Sequence, residues 1–244
     1  MTRLNTNAEL WKNLTQFGAM FDSTSSPLNT TLSATEAVGQ TELSVVAVAN
    51  GVAGDYVRVG NDGNIEVAQI EATAAGPAFI MKSSIAYAHS SGGLVKELTR
   101  TDLGDLSDDG MSVEVVGDRE RIDLATQRHY GAYNMRHTDY RVTVNLENLS
   151  PENMAMAVGV PDSNVTGAGT TADPSVTDWT PDNIDSKDPI SFWGRGALGN
   201  GEVVEVQFWD CRIDPSKTVQ LARGQDAPMQ MSFNARHVRW LRNV

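Results

Sequence analysis

The chain has 244 residues, 40% of them hydrophobic, a net charge of -12 and one cysteine. That length can bury one large core or two small ones, and no stretch approaches the roughly 18 consecutive apolar residues of a membrane helix. The acidic balance excludes a protein that grips nucleic acid by neutralising phosphates. It does not exclude one past which DNA slides without sticking.

The amino-terminal MTRLNTNAELWKNL lacks the unbroken apolar stretch of a secretory signal. Residues 1–31 read as an arm or first element. Leu10, Leu14, Phe17 and Phe21 recur at helical spacing, which predicts an amphipathic helix near 7–18.

Residues 32–98 read as an inserted small β-module. Leu43 and Val45 alternate with polar neighbours, and YVRVGNDGNIEVAQI gives two strands around Asn61-Asp62-Gly63-Asn64, a strong hairpin signal. Gly92-Gly93 punctuates the chain before Leu94 and Val95.

Residues 99–244 form the remaining domain. TDLGDLSDDGMSVEVVGD, 101–118, holds six acids and no base: Asp102, Asp105, Asp108, Asp109, Glu114 and Asp118. A strand is expected at Met111 to Val116. The texture then turns basic and aromatic, with Arg119, Arg121, Arg128, Tyr130, Tyr133 and Arg136. Next, Tyr140, Val142, Val144 and Leu146 alternate with Arg141, Thr143, Asn145 and Glu147, the clearest half-buried strand in the chain. The segment between these two strands is too long for a tight turn, so a long hairpin arm is implied.

NLENLSPENMAMAVG predicts a single short helix at about 150–158. Ser150 is its N-cap, Pro151 sits at N1, and Gly159 closes it. Residues 160–189 are loop-like, with six Asp against Lys187. Strands resume at Ile190 to Trp193 and Val203 to Ile213. In the latter, Val204, Val206 and Phe208 share one face while Trp209, Cys211 and Ile213 share the other. That switch predicts a bulge, or a strand passing between two packing environments. Met229, Met231, Phe233 and Ala235 alternate in a last strand before a basic tail of Arg236, His237, Arg239 and Arg242.

Chemistry-bearing patterns are sparse. GRGALG at 194–199 matches GxGxxG, but the glycines lead into the strand-like EVVEVQFW, so a hairpin turn is expected rather than a nucleotide site. His89, His129, His137 and His237 lack metal-ligand spacing and read as scattered surface residues. Cys211, between Trp209 and Ile213, reads as a small buried hydrophobe. No catalytic residues, metal or cofactor site are expected, and the chain does not read as an enzyme.

The order of RVTVNLENLSPENMAMAVG, GEVVEVQFWDCRID and APMQMSFNA after an acidic strand and long arm resembles bacteriophage tail tube proteins (major tail proteins), over roughly residues 101–240. The inserted GDYVRVGNDGNIEVAQI is similar to a small β-module found in phage virion proteins. The resemblance implies an antiparallel β-sandwich or partial barrel with one flanking helix. It also implies homohexameric rings stacked into a virion tail tube, made in the host cytoplasm, through which double-stranded DNA passes without specific binding and without a membrane. Tape measure, terminator and baseplate proteins, and a sheath where the tail is contractile, are the implied partners. The six acids above, with Glu202 and Glu205, become candidates for the lumen, where negative charge repels phosphate. The segment from Arg119 to His137 becomes the candidate ring-stacking arm. Two alternatives stand beside this. One is another virion ring component: a tail terminator, baseplate or fibre-attachment subunit. The other is a carbohydrate-binding β-sandwich using Trp179 and Trp193.

Overall fold

A computed structural model describes residues 14–23, 27–61, 64–122, 132–147, 190–198, 200–213 and 229–242, with the short pieces 165–166, 170, 172 and 176–177. The fold is mainly β and its sheets are antiparallel, as the sequence patterns led one to expect. The early strands are β1 (Leu14–Asp22), β2 (Asn29–Thr31), β3 (Glu42–Ser44), β4 (Tyr56–Val59), β5 (Glu66–Thr73) and β6 (Ala78–Met81). Two long strands follow, β7 (Leu94–Ile122) and β8 (Ala132–Leu146). Then come β9 (Val165–Thr166), β10 (Val176–Thr177), β11 (Ile190–Ala197), β12 (Val203–Ile213) and β13 (Met229–Arg242). The short helix expected at 150–158, with Ser150, Pro151 and Gly159, lies outside the described residues.

The chain forms two compact units. The module comprises Gly18–Asp102 and Ile190–Trp193; the main unit comprises Met1–Phe17, Leu103–Pro189 and Gly194–Val244. Strand β7 contributes residues to both.

In the module the strand order is β7–β4–β5–β6–β3, with β2 also laid against β7. The expected hairpin forms between β4 and β5, Tyr56 facing Gln69 and Val59 facing Glu66, with the Asn64 N–H donating to the Asn61 carbonyl at 3.1 Å across the turn. Apolar residues of β3 to β7 meet in one core with Leu28, which precedes β2: Leu28, Leu43, Val57, Val59, Ile70, Phe79, Met81 and Val95 are each 1% exposed or less.

A buried polar clasp closes the module. Glu66 and His89 are both buried, their Oε1 and Nε2 atoms 2.6 Å apart, and Glu66 Oε2 accepts the Ala86 N–H at 2.7 Å. Glu36, also buried, accepts the Ser44 N–H at 2.8 Å, and its main chain exchanges two hydrogen bonds with that of His89. The reading of His89 as a surface residue is therefore corrected. It fills an interior site because Glu66 supplies the polar partner that burial demands.

The amino-terminal helix is also corrected where it can be seen: residues 14–18 of the expected 7–18 span belong to strand β1, and 7–13 lie outside the described residues. Helical spacing was a coincidence of the strand's burial, since Phe17, Gly18, Ala19 and Met20 are buried in succession. At Gly18, an added Cβ would lie 2.3 Å from the Thr101 carbonyl oxygen and 2.4 Å from the Trp193 ring. Such close main-chain packing in a sheet overrides a weak helical preference.

In the main unit the order is β11–β12–β13–β8–β7. Alternation on β8 and β13 is as expected: Val142, Val144, Leu146, Phe233 and Ala235 are 0% exposed and Met231 1%. Val142 faces Phe233 and Val144 faces Met231 across the ladder. The Phe233 ring packs edge-on to Phe208 at 5.5 Å and stacks on Phe17 at 6.2 Å. On the opposite face Thr143 and Ser232 hydroxyls meet at 3.2 Å, and Gln230 Nε2 donates to Asn145 Oδ1 at 3.1 Å.

Strand β12 runs between two packing environments, one of the two alternatives for its apparent phase switch. Its register with β13 does not shift from Val204 opposite Arg242 to Ile213 opposite Phe233, so no extra residue is inserted, although Asp210, at a φ of 50°, drops out of the ladder between Trp209 and Cys211. Val204, Val206 and Phe208 are buried on one face and Glu205, Gln207 and Trp209 on the other. On the second face Trp209 Nε1 donates to Gln207 Oε1 at 3.3 Å, and Gln207 Nε2 donates to Glu205 Oε1 at 2.8 Å. The expected basic tail is part of β13 as far as Arg242, because the long β12 offers its main chain partners from His237 to Arg242.

The glycines of GRGALG lead into a hairpin turn, as expected: Leu198 N–H donates to the Glu202 carbonyl and Gly201 N–H to the Leu198 carbonyl, both at 2.8 Å. Cys211 is buried. Within the loop-like 160–189 segment, β9 and β10 form a short ladder, Val176 facing Thr166.

Candidate functional site

Strand β7 carries the acidic run and continues into the arm. Its pairing with β8 slips between Leu106–Leu146 and Met111–Val144. Ser107, Asp108, Asp109 and Gly110 thus lie opposite Asn145 alone, a bulge of more than the usual one extra residue that pushes β7 main chain out of the ladder. Two hydrogen bonds pin it: Asn145 Nδ2 to the Gly110 carbonyl at 3.3 Å, and Glu147 N–H to the Asp105 carbonyl at 3.0 Å. Gly110 takes a φ of 60°, the left-handed value that favours glycine where the chain turns back into the strand.

The bulge divides apolar from acidic residues. Leu103, Leu106 and Met111 are buried, while Asp105, Asp108 and Glu114 are exposed. Asp109 lies in the bulge and Asp118 stands opposite His137 by backbone register. Asp102, in the module part of β7, is exposed as well. Glu202 is half-buried beside the β11–β12 turn. Glu205 is corrected as a lumen candidate: at 0% exposure and bonded to Gln207, it points into the protein rather than into solvent.

Beyond the sheet, β7 and β8 continue as a two-stranded ribbon. β13 pairs with β8 only from Tyr140 to Leu146, whereas β7 pairs with β8 as far as Ile122 opposite Ala132. Among the described residues, the ribbon from Val116 to Ile122 and Ala132 to Asp139 has no third strand. A second slip, between Asp118–His137 and Arg119–Met135, leaves Arg136 as an extra residue on β8. Arg121 stands opposite Tyr133. Arg128 and Tyr130 lie outside the described residues. At the ribbon's foot Val115 and Val116 are 63% and 37% exposed.

The arm is longer than the strand Met111 to Val116 that the sequence suggested, because the ladder persists through polar residues whose alternation carries no hydrophobic signal. Neither the bulge nor the Arg136 slip could be read from residue types. The pair Asp108-Asp109 before Gly110 was the nearest sequence trace of the bulge.

Of the carbohydrate-binding candidates, Trp179 lies outside the described residues and Trp193 is buried, 4% exposed, beneath the Arg100 guanidinium 3.7 Å from its ring centre. Arg100 also donates to the Tyr56 hydroxyl at 2.8 Å. An indole covered in this way offers no stacking platform for a sugar. Among the described residues no group of His, Cys, Asp and Glu side chains could hold a metal ion, and no helix is long and apolar enough to cross a membrane. No protein-family model matches the chain, and no curated protein is recognisably similar to it.

Proposed function

We propose that the chain is a structural subunit of a phage-type tail tube, forming homohexameric rings that stack into a conduit for the genome and catalysing nothing. The observation that carries this reading is the β7–β8 ribbon, which leaves its sheet with no third strand among the described residues. A two-stranded ribbon is only marginally stable in water, so a long one is best accounted for by a surface on which it docks. The arm's Arg119, Arg121, Arg128 and Arg136 would meet the acidic loops of a neighbouring copy, a heterologous contact of the kind that stacks rings.

Exposed Asp105, Asp108 and Glu114 support an acidic lumen, where DNA passage needs an absence of cationic anchors rather than binding. Tape measure, terminator and baseplate proteins are then the natural partners at the tube ends.

The test is negative-stain microscopy of the purified protein over a range of concentrations, beside a variant lacking 119–137. Rings and tubes from the full chain, with unstacked rings from the deletion, are expected. A full chain that stays strictly monomeric at high concentration would overturn the reading. Rings that never polymerise would favour a terminator or baseplate component instead.

A further inference from the structure

Asn-Gly steps occur twice in the chain, at Asn50-Gly51 and Asn200-Gly201, and the structure holds them differently. Asn50 is the third residue of a tight turn in which the Gly51 N–H donates to the Val48 carbonyl at 3.2 Å. Its φ is 68°, whereas Ala49 keeps an ordinary negative φ. That combination marks a type II turn, whose third position admits Asn when glycine is not used. Ala49 and Asn50 are exposed, and among the described residues no hydrogen bond engages the Asn50 side chain.

Asn200 is also exposed but is tied down. Its Oδ1 accepts the Glu202 N–H at 3.1 Å, and the Gly201 N–H donates to the Leu198 carbonyl at 2.8 Å. The bond from Leu198 N–H to the Glu202 carbonyl, also 2.8 Å, closes the hairpin around it.

We propose that Asn50-Gly51 is a spontaneous covalent modification site, at which the Asn50 amide is converted to aspartate and isoaspartate. The Gly51 backbone nitrogen attacks Cγ of Asn50. The N–Cγ bond forms, the Cγ–Nδ2 bond breaks, and ammonia leaves with the proton from the Gly51 N–H. Water then adds to one of the two carbonyls of the cyclic succinimide, and the ring nitrogen regains a proton as the C–N bond opens. Opening at one carbonyl gives aspartate; opening at the other gives isoaspartate. No electrons are exchanged, and water is the only co-reactant.

The reaction needs the Gly51 nitrogen freed from a single long hydrogen bond in an exposed turn. At Asn200 it needs both the side-chain bond and the hairpin bond released. The two products also differ in consequence. Aspartate adds a charge and leaves the main chain unchanged. Isoaspartate inserts a methylene into the main chain just before Gly51, whose Cα is seated so closely on Phe79 that an added Cβ would lie 2.6 Å from the ring. Phe79 is fully buried in the module core, so this product lifts the turn off that core.

The test is to incubate the full chain at mildly alkaline pH and follow both sites by peptide mass spectrometry, with fragment spectra to localise the change. The amide-to-acid mass gain is expected several-fold faster at Asn50 than at Asn200, as two chromatographically separable isomers. The Asn50→Gly variant suits the turn's positive φ and removes the amide, so it should fold and show no gain in that peptide. Equal rates, faster loss at Asn200, or an intact Asn50 after an unfolded Asn-Gly peptide has fully converted would each overturn the proposal. So would persistence of the gain in Asn50→Gly.

Discussion

The module and the main unit solve the problem of sheet edges in opposite ways. In the module the strands β2 to β6 span three to eight residues each, and the apolar faces of β3 to β6 meet in one core. Its buried acids each find a partner inside the module, Glu66 at His89 and Glu36 at Ser44. The main unit instead holds β8 and β13, of 15 and 14 residues, with most of the 29-residue β7, and among the described residues β7 and β8 run on together past the last β13 partner of β8. A unit whose buried acids are paired within it needs no second molecule to satisfy them. One whose ribbon has no third strand among the described residues has sheet edges to offer another molecule.

The sharpest way to break this comparison is to damage each core and ask whether the other unit notices. Phe233 packs against Phe208 and Phe17, all three fully buried in the main unit. Phe233→Ala should cost about 3–5 kcal/mol by removing the ring and leaving a cavity. Hydrogen exchange should then accelerate at Val142, Val144 and Val206 while Val57 and Val67 keep their protection. Equal acceleration at all five would show that the units fold as one.

The next effect belongs to the module. Glu66→Ala removes the acceptor of the Ala86 N–H and the buried partner of His89. Leaving such groups unsatisfied costs about 1–3 kcal/mol. Glu66→Gln keeps an oxygen that can accept one of them, so it should lose less than Glu66→Ala. Urea unfolding followed by exchange at β4 and β5 reads the difference. An unchanged midpoint in Glu66→Ala would mean that the clasp orders the 82–93 segment without stabilising the module.

What the sequence disclosed follows the same division of labour. The β8 and β13 patterns were legible because each strand has one face in the core and one polar face, so period-two alternation survives. The β4–β5 hairpin was legible because its turn chemistry is local. By contrast, the Glu66–His89 clasp joins residues 23 apart in sequence, and nothing in either neighbourhood announces the other. The amino-terminal strand was misread because four consecutive buried residues, Phe17 to Met20, show no strand period at all. For the candidate site, the acids could be read as a run along one strand. Which of them face solvent depended on a bulge fixed by the register of β8, and Glu205 was misassigned because β12 is covered on both faces.

The smallest effect on stability should come from the charges that matter most to the proposed function. Asp105, Asp108 and Glu114 are exposed, and among the described residues no ion pair holds any of them. Reversing all three to Lys should shift the unfolding free energy by no more than about 0.5 kcal/mol per site, the usual range for surface substitutions away from special features. Assembly into tubes should survive, because the changes alter exposed side chains of β7 and leave its backbone ladder and the arm in place. Genome delivery should slow, and more at low ionic strength than at high, since lysines in a conduit would hold phosphate through a salt-dependent attraction. A large loss of stability would show that these carboxylates are structural. Normal delivery through assembled, charge-reversed tubes would remove them from the lumen and leave the proposed function resting on the arm.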